Sequence, residues 1–217
     1  MPMDALALTD SPALALRYCG QSARPVFAAL FALDTKLGRM VASASQPMLC
    51  QIRLAWWREQ IGMLSRTNPS DPLLRLLQIH WSPAAPALVA VVEGWELLLG
   101  RPVDAITLRR CMRLRSEGYT ALAQLRGILN RRRHVEEAVR WWVAADTLQH
   151  LRLPGERSAL IQVTRDWPLR IPRLPSALRP ITILAVLGQR AVLRGGDPPL
   201  SRRTDALVAA RVGLFGR

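Results

Sequence analysis

The chain reads as an all-α protein folded as a single domain, and three observations carry that reading. Long Ala-, Leu- and Arg-rich segments contain few β-branched clusters, a composition whose summed propensity favours helix. Apolar residues recur at helical spacing, as in Val26, Leu30, Leu33 and Leu37, separated by four, three and four positions. Proline and glycine fall between the periodic segments or in their first turns, where a missing N–H is harmless. At 217 residues the chain is long enough for a sizeable core. No repeat or composition break divides it, so 1–217 is read as one domain with residues 1–10 frayed.

In chain order, Ser11-Pro12 starts a short helix broken at Gly20. Ser22 caps the next, with Pro25 in its first turn and an end near Ala44. Ser45-Gln46-Pro47 hands the chain to a helix from Gln46 to Leu64, expected as an antiparallel neighbour because the connection is short. Asp71 caps DPLLRLLQIH, and Ser82-Pro83 opens a segment ending at Gly100. Arg101-Pro102 forbids simple continuation, and Asp104 caps a long helix to about Asn130. Arg131–Arg133 reads as a solvated hinge, with Glu136-Glu137 favouring the next N-terminus through the helix dipole. That helix stops before Leu153-Pro154-Gly155. Prolines at 168, 172, 175 and 180 mark an ordered crossing loop. Helices from Pro180 to Arg194 and from Ser201 to about Val212 complete seven or eight, with no strand expected.

The run QPMLCQIRLAWWREQIGML, Gln46 to Leu64, is the most informative. At about 100° per residue, Leu49, Ile52, Trp56 and Met63 fall within roughly 60° of one another, an apolar stripe expected to face the core. Arg53 sits beside that stripe, so Arg53 and Trp56 are expected to line an interior cavity, whereas Arg58 points towards solvent or a neighbouring helix. A guanidinium so placed needs an anion, carbonyls or an aromatic face.

Of the 30 basic residues only Lys36 is a lysine, against 16 acids, for a net charge of +14. Nearly all of it belongs to residues 101–217, which hold 22 basic and 9 acidic side chains. Such a skew suits anionic partners, but it also follows from a codon bias towards arginine. The arginines are dispersed over several helices, and Arg131–Arg133 is too short, without interleaved aromatics, to argue nucleic-acid recognition. Cys19, Cys50 and Cys111 show no ligand or disulfide spacing and read as small buried hydrophobes in a reducing cytoplasm. No uncharged apolar run reaches about 18 residues, and MPMDALALTD carries acids where a signal peptide would be basic.

Helical metal sites need carboxylates three or four residues apart, on one face. Glu93–Glu96 has that spacing, yet no second pair answers it, so a solvated helix face is the simpler reading. His80, His134 and His150 lack ligand spacing, and no nucleophile or phosphate-loop motif is present.

RPVFAALFALDTKLGRMV, QPMLCQIRLAWWREQI and VVEGWELLL follow one another as in the squalene/phytoene synthase family, and the chain resembles short bacterial members of it. LPSALRPITILAVLGQRAVLR and RVGLFGR resemble their tail, so the likeness spans nearly the whole chain. The resemblance implies an isoprenoid synthase-like helical bundle around a central apolar cavity. Active members condense two prenyl diphosphates head to head with Mg²⁺ held by aspartate-rich motifs. Here the matched positions are Gly38, Arg39, Ala42, Leu98 and His150; Asp34 and Asp146 lie nearby, each alone. The resemblance therefore implies a member without metal-dependent catalysis and without a cofactor, similar to the branch that includes a complex I assembly factor. Its expected ligand is a lipid, an isoprenoid or a prenyl-diphosphate-like molecule, whose diphosphate Arg24, Arg39 and Arg53 could grip directly, with Arg24, Arg39, Arg53, Trp56, Trp57, Glu93 and Glu96 as candidate cavity residues. Partners of that reading are an anionic membrane surface or another protein, with the protein peripheral at the cytoplasmic face. The alternatives are an active Mg²⁺-dependent prenyl transferase and a helical module that binds nucleic acid or another polyanion.

Overall fold

Apolar stripes on nearly every segment demand helical partners on several sides, and the chain meets that demand by layering. The computed structural model describes residues 8–100 and 102–216, in which all regular structure is helical. The helices are α1 (Asp10–Arg17), α2 (Arg24–Ala42), α3 (Pro47–Gly62), α4 (Pro72–Trp81) and α5 (Ala85–Glu96). There follow α6 (Ala105–Leu125), α7 (Arg132–His150), α8 (Pro154–Thr164), α9 (Arg179–Leu193) and α10 (Arg203–Phe215). α5, α6, α7 and α9 pack side by side in that order; α3 covers α5, and α1 and α10 cover α9. α2 touches α4, α5, α6 and α7 and is buried along most of its length, from Phe27 to Val41. The frayed stretch expected at 1–10 falls largely on residues 1–7, outside the described residues, and α1 begins at Asp10.

Several local expectations hold for the stated physical reasons. Asp71 caps α4, its carboxylate accepting from Leu73 N at 2.8 Å and Leu74 N at 3.1 Å. Asp104 caps α6 by accepting from Thr107 N at 2.7 Å. The three cysteines are buried free thiols. Burial pushes the pKa of Cys19 up to about 11 and that of Cys111 up to about 12, so both stay protonated.

Other boundaries move. α6 stops at Leu125, and Arg131–Arg133 is not a free hinge, because Arg132 and Arg133 already form the first turn of α7. Their charges are matched there: Arg132 pairs with Glu117 at 2.7 Å and Arg133 with Glu137 at 3.0 Å. α8 goes beyond the expected helices. Its Glu156 is buried and accepts from Val103 N at 3.0 Å, tying the start of α8 to the segment that enters α6. Residues Ser176–Leu193 are long and apolar enough to cross a membrane by composition, with mean hydropathy 1.2, yet 61% of that window is buried inside the fold.

The largest correction concerns α3, which lies mainly on α5 and only lightly on α2. Its buried seam is Cys50, Leu54, Trp57, Ile61 and, just past its end, Leu64. The stripe expected to face the core points outward instead: Leu49 is 54% exposed, Ile52 61% and Trp56 45%. Arg53 is exposed as well, so neither Arg53 nor Trp56 lines an interior cavity. Arg58 reaches a neighbour, meeting Glu96 of α5 at 2.7 Å.

Candidate functional site: a buried arginine between two carboxylates

α2 is apolar on almost every side, and an acid in its middle must find donors inside the protein. Asp34 is that acid, and the structure surrounds it. Arg115 of α6, with no solvent exposure, places Nη2 at 2.9 Å from Asp34 Oδ2 and 3.1 Å from Oδ1, with Nε at 3.3 Å from Oδ1. Trp95 of α5 donates its indole N–H to Asp34 Oδ1 at 2.7 Å. Tyr119, one turn after Arg115, donates its hydroxyl to Asp34 Oδ2 at 2.9 Å and accepts from Trp142 Nε1 at 2.8 Å. On α7, Asp146 Oδ2 accepts from Arg115 Nη2 at 2.6 Å, and Thr147 Oγ1 accepts from Nη1 at 2.8 Å. The guanidinium also lies over the Trp95 ring, 3.8 Å from its centroid.

Close helix packing makes this arrangement fit. A Cβ on Gly94 would stand 2.7 Å from Arg115 Cγ, so the bare backbone of α5 lets the Arg115 stem pass. A Cβ on Gly38 would stand 2.9 Å from Trp95 Cη2 and 3.0 Å from His150 Cε1. An aspartate at position 38 therefore has no room; the two rings, 4.7 Å apart and edge to face, occupy that space.

The electrostatics are those of a permanent internal cation. Burial alone would lower the Arg115 pKa, but Asp34 and Asp146 outweigh it and hold it above the ordinary arginine value. Burial, with Asp34 beside it, raises the Tyr119 pKa well above the usual range, so the phenol keeps its proton and acts as a donor. Burial lowers the His150 pKa, with Asp146 opposing, so the imidazole is neutral at pH 7. His150 Nε2 stands 3.9 Å from Asp146 Oδ2, beyond hydrogen-bonding distance.

Both Asp34 oxygens already accept from side chains, and the carboxylates face each other across a guanidinium. A divalent ion needs several free oxygen ligands, and here it would have to displace Arg115. No three His, Cys, Asp or Glu side chains group as a metal site among the described residues. The opening beside the cluster measures only about 40 Å³, bordered by Asp34, Arg39, Tyr119, Trp142, Asp146 and His150 among others. That is about the space of one water molecule. Around this opening Phe31, Trp95, Tyr119 and Trp142 are buried rings.

The candidate residues chosen from sequence do not converge. Arg39 borders the small opening. Arg24 begins α2, its Nε buried without a hydrogen-bond partner. Arg53 and Trp56 lie on the outer face of α3. Trp57 is buried beneath Lys36, whose Nζ lies 4.4 Å from its ring centroid. Glu96 pairs with Arg58; burial raises its pKa, the arginine opposes, and half-buried Glu93 adds to the rise.

Arg115, Tyr119, Trp95, Trp142 and Thr147 escaped the sequence reading, although a signal existed. Arg115 falls in the buried register Leu108, Cys111, Arg115, Tyr119, Leu122, so a helical count through α6 puts a cation in the core. Neither models of protein families, nor curated proteins, nor solved structures match this chain.

Proposed function

We propose that the protein is a non-catalytic, squalene/phytoene synthase-like binding protein that docks on an anionic membrane surface. The Arg115 guanidinium bridging Asp34 and Asp146 carries this reading. Diphosphate departure in that chemistry depends on hard cations held by carboxylates, which stabilise the developing charge. Here Asp34 and Asp146 are spent on a fixed organic cation, and the space at Gly38 is taken by Trp95 and His150. Leu98, at another position matched to an acid, is buried in the core.

The exterior supports the binding half of the proposal. Met48, Leu49, Ile52 and Trp56 form an outward apolar band on α3, with Arg53 at its edge. An outward apolar band with a tryptophan beside a basic residue suits a membrane interface, where tryptophan sits at the headgroup level. The net charge of +14 adds attraction to anionic lipid. Purified protein incubated with farnesyl or geranylgeranyl diphosphate and Mg²⁺ is expected to release no diphosphate, and to sediment with anionic vesicles at low salt. Magnesium-dependent turnover would restore the alternative, an active prenyl transferase.

A further inference from the structure

A second cleft, of about 360 Å³, opens on a different face of α6, where α6, α7 and the end of α8 meet. Its volume is at the lower end of small-molecule sites, roughly 300–1,000 Å³. α6 contributes Arg109 and Arg113 and α7 contributes Arg133 and Arg140, while Trp167 and Val163 form an apolar wall. Helical spacing produces the convergence: the α6 residues 109, 112, 113 and 116 and the α7 residues 133, 136, 137 and 140 each occupy one face.

The four cations are not equivalent. Arg133 is held by Glu137 at 3.0 Å. Arg109 and Arg113 are exposed, and among the described residues neither has an ion-pair partner. Arg140 lies over Trp167, its Cζ 4.8 Å from the ring centroid, and Trp167 is braced edge-on by Trp141 at 5.0 Å. The Arg140 Nε is buried with no hydrogen-bond partner. Burial pulls the Arg140 pKa below the ordinary arginine value, with Glu137 and Glu136 opposing. An oriented, part-buried guanidinium, stacked on Trp167 beside two unpaired ones, fits the tetrahedral oxygens of a phosphate through forked hydrogen bonds.

We propose that this α6–α7–α8 cleft binds a phosphate group of a small molecule or lipid headgroup, held by Arg109, Arg113 and Arg140, with the attached organic part against Trp167 and Val163. Glu137 is already paired with Arg133, and the bounded cleft of about 360 Å³ favours a compact phosphate over an extended nucleic acid. The cleft does not depend on the reading of the Arg115 cluster.

Calorimetric titration with inorganic phosphate, pyrophosphate and glycerol 3-phosphate tests the soluble source of that phosphate. Phosphatidate vesicles, compared with phosphatidylcholine vesicles, test the headgroup. The variant Arg109→Gln/Arg113→Gln alters only exposed side chains; Arg140→Gln tests the guanidinium stacked on Trp167; Arg66→Gln/Arg211→Gln removes the same charge elsewhere. Circular dichroism checks that each folds. Binding in either arm is expected to weaken about tenfold or more in the cleft variants and to persist in the control pair; the arm that binds identifies the source. Equal affinity in wild type and cleft variants, no binding in either arm, or binding to single-stranded DNA alone would overturn the proposal.

Discussion

Arg115 is the residue on which the interior depends, because it sits wholly out of water between two carboxylates. Removing one partner of such a group leaves the others charged and unpaired, a loss of about 3–5 kcal/mol. Arg115→Met is therefore expected to lower the unfolding free energy by about that amount in urea titration. A change within ~0.5 kcal/mol, the range of ordinary surface substitutions, would mean that the pairing is not formed. Gly38→Ala is expected to cost about 1–3 kcal/mol by overpacking against Trp95 and His150, read in the same titration. At this scale little of the site is legible in the sequence, where Asp34 and Asp146 read as lone acids and of the candidate residues only Arg39 borders the cluster. Asp34 and Asp146 stand out as acids on apolar helices, but nothing in a one-dimensional pattern says that one guanidinium 81 positions from Asp34 joins them.

At the scale of elements, α3 shows why a correct helix was turned the wrong way. It carries two apolar stripes: Leu49, Ile52, Trp56 and Met63 on one side, and Cys50, Leu54, Trp57, Ile61 and Leu64 on the other. Periodicity finds both, and only the position of α5 decides which is covered. Helix existence and the Asp71 and Asp104 caps were readable because they are local chemistry; orientation was not, because it belongs to the neighbours. Ile52→Ser/Trp56→Ser is expected to leave stability within about 0.5 kcal/mol and to weaken vesicle sedimentation several-fold, whereas unchanged sedimentation would remove α3 from the docking surface. α10 depends on a different device. Buried Asp205 accepts from Arg190 Nε at 3.0 Å and from Arg194 Nη1 and Nη2, each at 2.9 Å. Burial pushes the Asp205 pKa up, but these arginines outweigh it and hold the carboxyl below its ordinary value. A depressed folded-state pKa stabilises above the unfolded value near about 4 and loses that contribution as pH falls through the folded one. Asp205→Asn is thus expected to lower the melting temperature at pH 7 and to flatten its acid-side decline. A variant with the same acid slope as wild type would contradict this.

For the whole molecule, helical packing buries a cluster of rings around Arg115 and leaves apolar and basic side chains on the outside. Among the described residues Arg115 is the buried cation, set among buried rings, while an apolar band and most of the arginines lie outside. The all-α class was readable from composition and spacing, whereas the filled interior depends on side chains from α2, α5, α6 and α7 meeting at one point. Arg115 pairs with both Asp34 and Asp146, so a divalent ion could bind between them only by displacing it. The most direct measurement is the thermal midpoint of the purified protein in EDTA and across a Mg²⁺ or Mn²⁺ titration. A bound ion at 100 times its dissociation constant would add about 2.7 kcal/mol. The account predicts an unchanged midpoint; a concentration-dependent rise that disappears in Asp146→Asn would contradict it.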